Sequence, residues 1–304
     1  MQTPKNQTVL IIGASGKFGH NAAEAFEKDG WSVRRFNRLK DELEVVARDV
    51  DVIVMAGNPK SYKDWDAELL PMHEKAIQAA KACGATIILP GNVYIYGPDA
   101  PYGWNEATPH LAVNPLAKLR IQLEQMYLLS GVQTILIRAG DFIDTEKTQN
   151  WFDMFIAPKV EKGFITYPGD LNCTHSWAYL PDLARASVML ANKRATLATF
   201  EEVPFDGFTL TGKELAAAIA QALNHPVQAR QMSWLKFQLA RPFLPILQGV
   251  FEMRYLWDLP HKIDGAKFAR LCPDFHATPV QIAMTCALQG AVSQRNNPGH
   301  LAKA

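Results

Sequence analysis

Cysteine is scarce and scattered: four residues in 304 (Cys83, Cys173, Cys272, Cys286), with no C-x-x-C pair among them. That excludes a disulfide framework and a zinc site built on thiolate pairs, and it leaves reduced thiols in the cytoplasm as the expectation. Charge of one sign is missing as well. Lys plus Arg number 31 against 30 Asp plus Glu, a net of +1, so the overall charge favours neither nucleic acid nor an anionic membrane as partner. No apolar run approaches the roughly 18–20 residues of a membrane helix. The short segment before the first apolar strand lacks the layout of a signal peptide. What the chain does hold is core material: 48% hydrophobic and 20% charged residues, with seven Trp and fifteen Phe. That suffices for a full core and an apolar cleft. The length suits one large domain or about two ordinary ones. The expectation is a soluble cytoplasmic protein whose partner is a small molecule.

The first half alternates short apolar strands with helices. Strands are expected at Thr8 to Ile12, Ser32 to Phe36, Asp51 to Met55, Ala85 to Leu89 and Gln133 to Ile137. Helices are expected at Phe18 to Lys28, Trp65 to Cys83 and Asn114 to Leu129. Such alternation specifies an α/β fold, a parallel sheet covered on both faces. After about Gly140 the rhythm changes, with helices expected at Trp151 to Lys162, at Pro181 to Asn192 and from Thr211. Trp234 to Tyr255 is apolar and helical in pattern, broken at Pro242 and Pro245 and carrying Lys236, Arg241 and Arg254. It reads as a wall of a substrate cleft or as a contact between copies in a homodimer. The tail from about Ser293 is expected to be frayed.

The segment V-L-I-I-G-A-S-G-K-F-G sets Gly13, Gly16 and Gly19 between a buried strand and a helix, with Ser15, Lys17 and Phe18 completing the loop. Gly13 permits the tight turn, Gly16 lets a pyrophosphate approach the backbone, and Gly19 lets the helix pack closely on the sheet. The free N–H groups of the helix start then hold the phosphates. The end of the second strand selects the cofactor. An acid there bonds the adenosine ribose of NAD; here Asn37 stands in its place, followed by Arg38, with Lys17 in reach of the same phosphate. Two cations and no carboxylate favour NADP, with NAD still allowed. Ala56-Gly57-Asn58, after the third strand, is expected to line the same pocket.

The glycine loop, V-Y-I-Y-G-P at Val93 to Pro98, I-R-A-G-D at Ile137 to Asp141, W-A-Y-L-P-D-L at Trp177 to Leu183 and D-G-A-K-F-A-R-L-C-P-D-F at Asp264 to Phe275 follow in order. Together they resemble the NAD-dependent epimerase/dehydratase family of extended short-chain dehydrogenases/reductases, over nearly the whole chain. The resemblance implies a Rossmann fold, a doubly wound parallel sheet at residues 1–140. It also implies a smaller, mainly substrate-binding C-terminal region at 141–304, free to interleave with the Rossmann sheet, with chemistry in the cleft between them. It also exposes departures. The family's catalytic Ser or Thr falls on Asn92. Its Tyr-x-x-x-Lys falls near Asn114 to Arg120: either Lys118 is the lysine and Asn114 replaces the tyrosine, or Arg120 replaces the lysine and Leu116 the tyrosine. Both alignments lose the phenol that serves the family as acid and base. The short stretch from Arg38 to Asp51 also has too few residues for the family's usual helix and extra strand, so an edge strand is expected to be missing or rudimentary.

Replacement groups are sought at the carboxyl edge of the sheet, where open parallel sheets bind ligands. Tyr96 and then Tyr94 are candidate phenols, against the alternative of an aromatic wall. Asp141 is a candidate base or substrate acceptor. Lys118 or Arg120 is a candidate for the ribose. His175 is a candidate acid or base, though a lone His near aromatics is more often structural. Asp182 reads as a helix N-terminal acid. The leading reading is an NADP-preferring oxidoreductase or epimerase-like enzyme; the alternative is a non-catalytic NADP(H)-binding sensor.

Overall fold

The computed structural model describes residues 7–59, 62–241 and 246–293. The expected break at Pro242 and Pro245 and the tail beyond Ser293 lie outside them. Strand β1 (Thr8–Ile12) is a run of Val, Leu and Ile and is buried from Val9 onward. Helix α1 (Lys17–Lys28) follows the glycine loop and packs Phe18, Ala22, Ala23 and Phe26 inward. Next come β2 (Ser32–Arg35), the one-turn helix α2 (Leu43–Val46), β3 (Val52–Met55), α3 (Trp65–Cys83), β4 (Thr86–Gly91), α4 (Pro115–Leu129) and β5 (Thr134–Arg138).

The second half opens with β6 (Asp141–Ile143), β7 (Phe164–Tyr167), β8 (Thr174–Tyr179) and α5 (Leu180–Asn192). It continues through β9 (Phe200–Pro204), β10 (Phe208–Thr211), α6 (Gly212–Leu223) and β11 (Gln228–Gln231). Helices α7 (Trp234–Ala240), α8 (Ile246–Glu252), α9 (Ala266–Leu271) and α10 (Val280–Ser293) complete it.

The main sheet has six strands in the order β2-β1-β3-β4-β5-β9, every pair parallel. Alternate residues of each strand face opposite layers. Val9 and Ile11 join α1 and α5 on one side, while Leu10 and Ile12 join α3 and α4 on the other. This is the doubly wound pattern, and its winding reverses between β1 and β3. Ligands of such sheets bind where the winding reverses, at the carboxyl ends of the strands. Beyond β2 the described residues add no further strand: the stretch from Arg38 to Asp51 holds only α2.

A second layer of structure is formed by two smaller sheets, β10-β8-β6 and β11-β7, the first entered at Asp141 just past the carboxyl end of β5. It is not built from a separate half of the chain, because β9 returns to pair with β5 and α5 packs on α1. Trp151 to Lys162 is not the α-helix its pattern suggests. Phe152–Ile156 is a π turn and Ala157–Lys162 a 3₁₀ turn, since Pro158 has no N–H to continue an α-helical ladder. Among the described residues no helix is long and apolar enough to cross a membrane.

Candidate active site

The glycine loop is shaped by three different demands. Gly13 has φ +85°, and a Cβ there would lie 2.7 Å from the Gly57 nitrogen. At Gly19 a Cβ would lie 2.0 Å from the Gly13 carbonyl oxygen. Both positions are closed by the protein's own backbone, and Gly57 serves as the neighbour that crowds Gly13. Gly16 differs. A Cβ there meets only the Gly13 oxygen at 3.1 Å and the Ala56 oxygen at 4.0 Å, so the space above it is left open. Gly16 is also the N-cap of α1, with no side-chain cap and no acid in the first turn. Free amides and an unopposed helix dipole therefore face that space, as a phosphate requires. Ser15 is exposed beside it and Phe18 is buried beneath.

Lys17 does not serve the end of β2. Its Nζ donates to the Gln149 carbonyl at 2.9 Å, and burial lowers its pKa while Asp153, Asp141 and Asp144 oppose that shift. The side chain leaves the first turn of α1 toward the second layer, whereas Asn37 and Arg38 stand at the exposed margin of β2. There, Asn37 Oδ1 accepts from the Leu39 amide at 3.0 Å and the Asp41 carboxylate accepts from the Asn37 amide at 2.7 Å. Arg35 is paired with Glu27 at 2.8 Å, and Arg34 donates to the Val46 and Arg48 carbonyls. Of the three arginines at this strand end, Arg38 alone has no polar partner among the described residues.

On α4 the structure chooses between the two alignments. Lys118 is exposed, while Arg120 is buried. Two residues on a helix are about 200° apart, so only one of them can face the sheet. Arg120 Nη2 donates to Asn58 Oδ1 at 2.7 Å, and the guanidinium lies 4.4 Å from the Trp65 ring. Lys118 is thereby corrected to a surface cation. Leu116, at the tyrosine position of that register, is buried, and Asn114 of the other register is the α4 N-cap, accepting from the Ala117 amide at 2.8 Å.

The two candidate phenols part company. Tyr96 is fully buried, stacked on Trp104 at 4.5 Å, with its hydroxyl 3.4 Å from the Asn105 carbonyl. Its first rank as a proton donor is corrected: it is core. Tyr94 is half-buried, and its hydroxyl lies 3.0 Å from that of Tyr62. Burial raises both pKa values, and Asp141 raises both further, while Arg120 pulls them down. Tyr94, Tyr62, Arg120 and Asp141 thus form one electrostatic neighbourhood. Asn92 supports it as a turn residue, its Oδ1 accepting from the Tyr94 amide at 3.0 Å. Its carbonyl in turn accepts from Arg138 Nη1 at 2.7 Å. Arg138 is fully buried, bidentate to Glu124 at 2.7 and 2.8 Å and paired with Glu202, which fixes the turn that carries Tyr94.

Asp141 Oδ2 accepts from His175 Nε2 at 2.7 Å. His175 is buried, its ring parallel to Trp257 at 4.1 Å, and its Nδ1 has no partner among the described residues. Asp182 sits in the first turn of α5, as expected, but its carboxylate binds Thr278 (2.6 and 2.7 Å) and Arg185 (2.7 Å).

Sequence reading passed over Tyr62 and Trp257. Tyr62 had a usable signal, since it follows the A-G-N-P turn at the carboxyl end of β3; Trp257 had none.

No protein-family model and no curated protein matches the sequence. Solved structures do. A nucleoside-diphosphate-sugar epimerase from Pseudomonas aeruginosa matches 95% of this chain and 99% of its own at 14% identity, with a TM-score of 0.70. L-threonine dehydrogenase from Phytophthora infestans matches 95% and 99% at 14% identity and TM-score 0.69. UDP-glucuronic acid 4-epimerase from Bacillus cereus, in complex with UDP-glucuronic acid and NAD, matches 95% and 100% at 12% identity and TM-score 0.69. The chain is folded along nearly its whole length as these epimerases and dehydrogenases are, around a Rossmann sheet flanked by helices.

Proposed function

We propose that the protein is a nicotinamide-dinucleotide-dependent oxidoreductase or epimerase-like enzyme, NADP preferred, acting on a small molecule between the glycine loop and the Asp141–His175 pair. The observation that carries this reading is Gly16, open where Gly13 and Gly19 are closed, at an uncapped helix start. Ala56, Gly57 and Asn58 form the opposite lip, and the similar UDP-glucuronic acid 4-epimerase holds NAD. Arg38, unpaired at the margin of β2, supports the choice of NADP. When bound, the nicotinamide supplies or accepts a hydride. Tyr94 holds the proton exchanged with the substrate oxygen, Tyr62 fixes its hydroxyl, and Arg120 supplies the positive charge that a phenolate needs. Asp141 orients the substrate or takes a proton from it.

Calorimetry tests the reading. NADPH should bind more tightly than NADH by about tenfold or more, the worth of a charge-assisted contact of about 1.5–3 kcal/mol. Arg38→Ala should narrow the gap, and Gly16→Val should abolish binding of both with the fold intact. Equal affinities in the unaltered protein would remove the NADP preference, and retained binding in Gly16→Val would remove the site.

The sensor reading draws support from Leu116 and Asn114 at the tyrosine positions and from a Tyr94 pKa raised by burial. Tight NADPH binding with no oxidation by any of a panel of aldehydes and ketones would favour it.

A further inference from the structure

Away from the glycine loop, a cavity of about 230 Å³ opens between β9, the end of β8 and α9. Its walls include Tyr179, Phe205, Phe208, Phe268 and Phe275. Three of these rings meet edge to face: Phe205 with Phe268 at 5.3 Å, Phe205 with Phe275 at 5.9 Å, and Phe268 with Phe275 at 5.0 Å. Its lining includes neither Asp141 nor His175, and Tyr179 stands four residues, roughly 13 Å, along β8 from His175. It is a separate place.

Two carboxylates line it, and they differ in commitment. Asp182 is saturated by Thr278 and Arg185, and Arg185 itself lies over Phe275 at 4.9 Å. Asp206 stands at the mouth with hydrogen bonds only from the amides of its own turn, and Asp264 adds a second negative charge beside it. Burial raises the pKa of Asp206, and Asp264 raises it further. Among the described residues neither has an ion-pair partner. Gly265 leaves the room that Asp206 occupies: a Cβ there would lie 2.6 Å from its carboxyl carbon. Asp206 is exposed to solvent at the rim of a ring-lined cavity, where a carboxylate can pair with an organic cation whose apolar body enters between the rings.

We infer that this cavity is a binding site for a small organic cation, an amine with an apolar body, its ammonium on Asp206 and its body among Phe205, Phe268 and Phe275. The cavity volume is below the roughly 300–1,000 Å³ of drug-sized ligand pockets, which restricts the ligand to a small one. The site is independent of the dinucleotide reading and stands whether or not hydride chemistry occurs.

The test is calorimetry of the full chain with 2-phenylethylamine and its neutral counterpart 2-phenylethanol. The amine should bind about tenfold or more tightly than the alcohol. Asp206→Asn should bring the two together, and Ala269→Trp, at an exposed lining position of α9, should block both. Glu44→Gln, a surface carboxylate on α2, should change nothing. Circular dichroism establishes that each variant is folded. Equal affinity for amine and alcohol, amine binding undiminished in Asp206→Asn, or no binding of the amine at millimolar concentration would each overturn the inference.

Discussion

Tyr94 and Tyr96 share one turn and one functional group, and their surroundings assign them opposite uses. The Tyr96 hydroxyl is spent on a main-chain carbonyl beneath Trp104, whereas the Tyr94 hydroxyl reaches Tyr62 in the neighbourhood of Arg120 and Asp141. Removing a positioned general acid typically costs about 10²–10⁴ in rate. Tyr94→Phe should therefore lose that much in single-turnover NADPH oxidation with any carbonyl compound the unaltered protein reduces. Tyr96→Phe should keep its rate to within a few-fold. The reverse order would return the role to Tyr96. Sequence reading reached both tyrosines because they follow β4 at the ligand edge. It ranked Tyr96 first because the burial of that hydroxyl depends on Trp104 and Asn105, which come later in the chain and carry no local pattern.

Elements set which of several similar residues matters. On α4 the inward positions are Leu116, Ala117, Arg120, Leu123, Glu124 and Tyr127, a helical stripe that includes two charged residues. A stripe sought among apolar residues alone passes over Arg120 and Glu124, and so left Lys118 and Arg120 undecided. The stretches Thr8 to Ile12 and Trp65 to Cys83 were legible to the residue, being long in pattern or bounded by clear breaks. Trp151 to Lys162 was not, because Pro158 changes the kind of turn without disturbing the apolar spacing. The glycine loop gives the element-scale prediction. Gly19→Ala pushes a methyl group into the Gly13 carbonyl and should destabilise the fold by about 1–3 kcal/mol, the usual cost of overpacking. Urea denaturation measures it. Gly16→Val, on the same loop, should unfold at nearly the unaltered midpoint. Similar losses in both would mean that the space above Gly16 is needed by the protein itself.

At the scale of the molecule, α1 is tied to the segment after β6 by several contacts. Asn21 Nδ2 donates to Asp144 Oδ1 at 3.0 Å, Lys17 reaches Gln149, and His20 Nε2 stands 3.6 Å from Asp144 and 3.9 Å from Glu146. The Asp144 carboxylate 3.6 Å away, with help from the Gly16 carbonyl and the Glu146 charge, raises His20 to about 9, against the opposing effect of burial. A histidine raised on folding stabilises the fold fully below its unfolded value of about 6.5, and that contribution is lost as pH rises through about 9. With His20 only partly shielded from water, about 1–2 kcal/mol is at stake. The urea midpoint should fall between pH 7 and 9.5, and Asp144→Asn should flatten that fall. An unchanged slope in Asp144→Asn would place the titrating group elsewhere.

Among the described residues the sheet ends at β2, and this bears on more than cofactor choice. A strand with one unpaired margin offers its free amides and carbonyls to any other strand, including the β2 of a second copy, and proteins discourage such pairing with charge. Here Arg34 and Arg35 lie on that strand and Arg38 just past it, all exposed. Two such margins approaching one another would bring arginines face to face. The shortened connection between β2 and β3 thus makes these cations guardians of solubility, and their replacement by Val or Ile would turn a bare margin into a seed for edge-to-edge stacking.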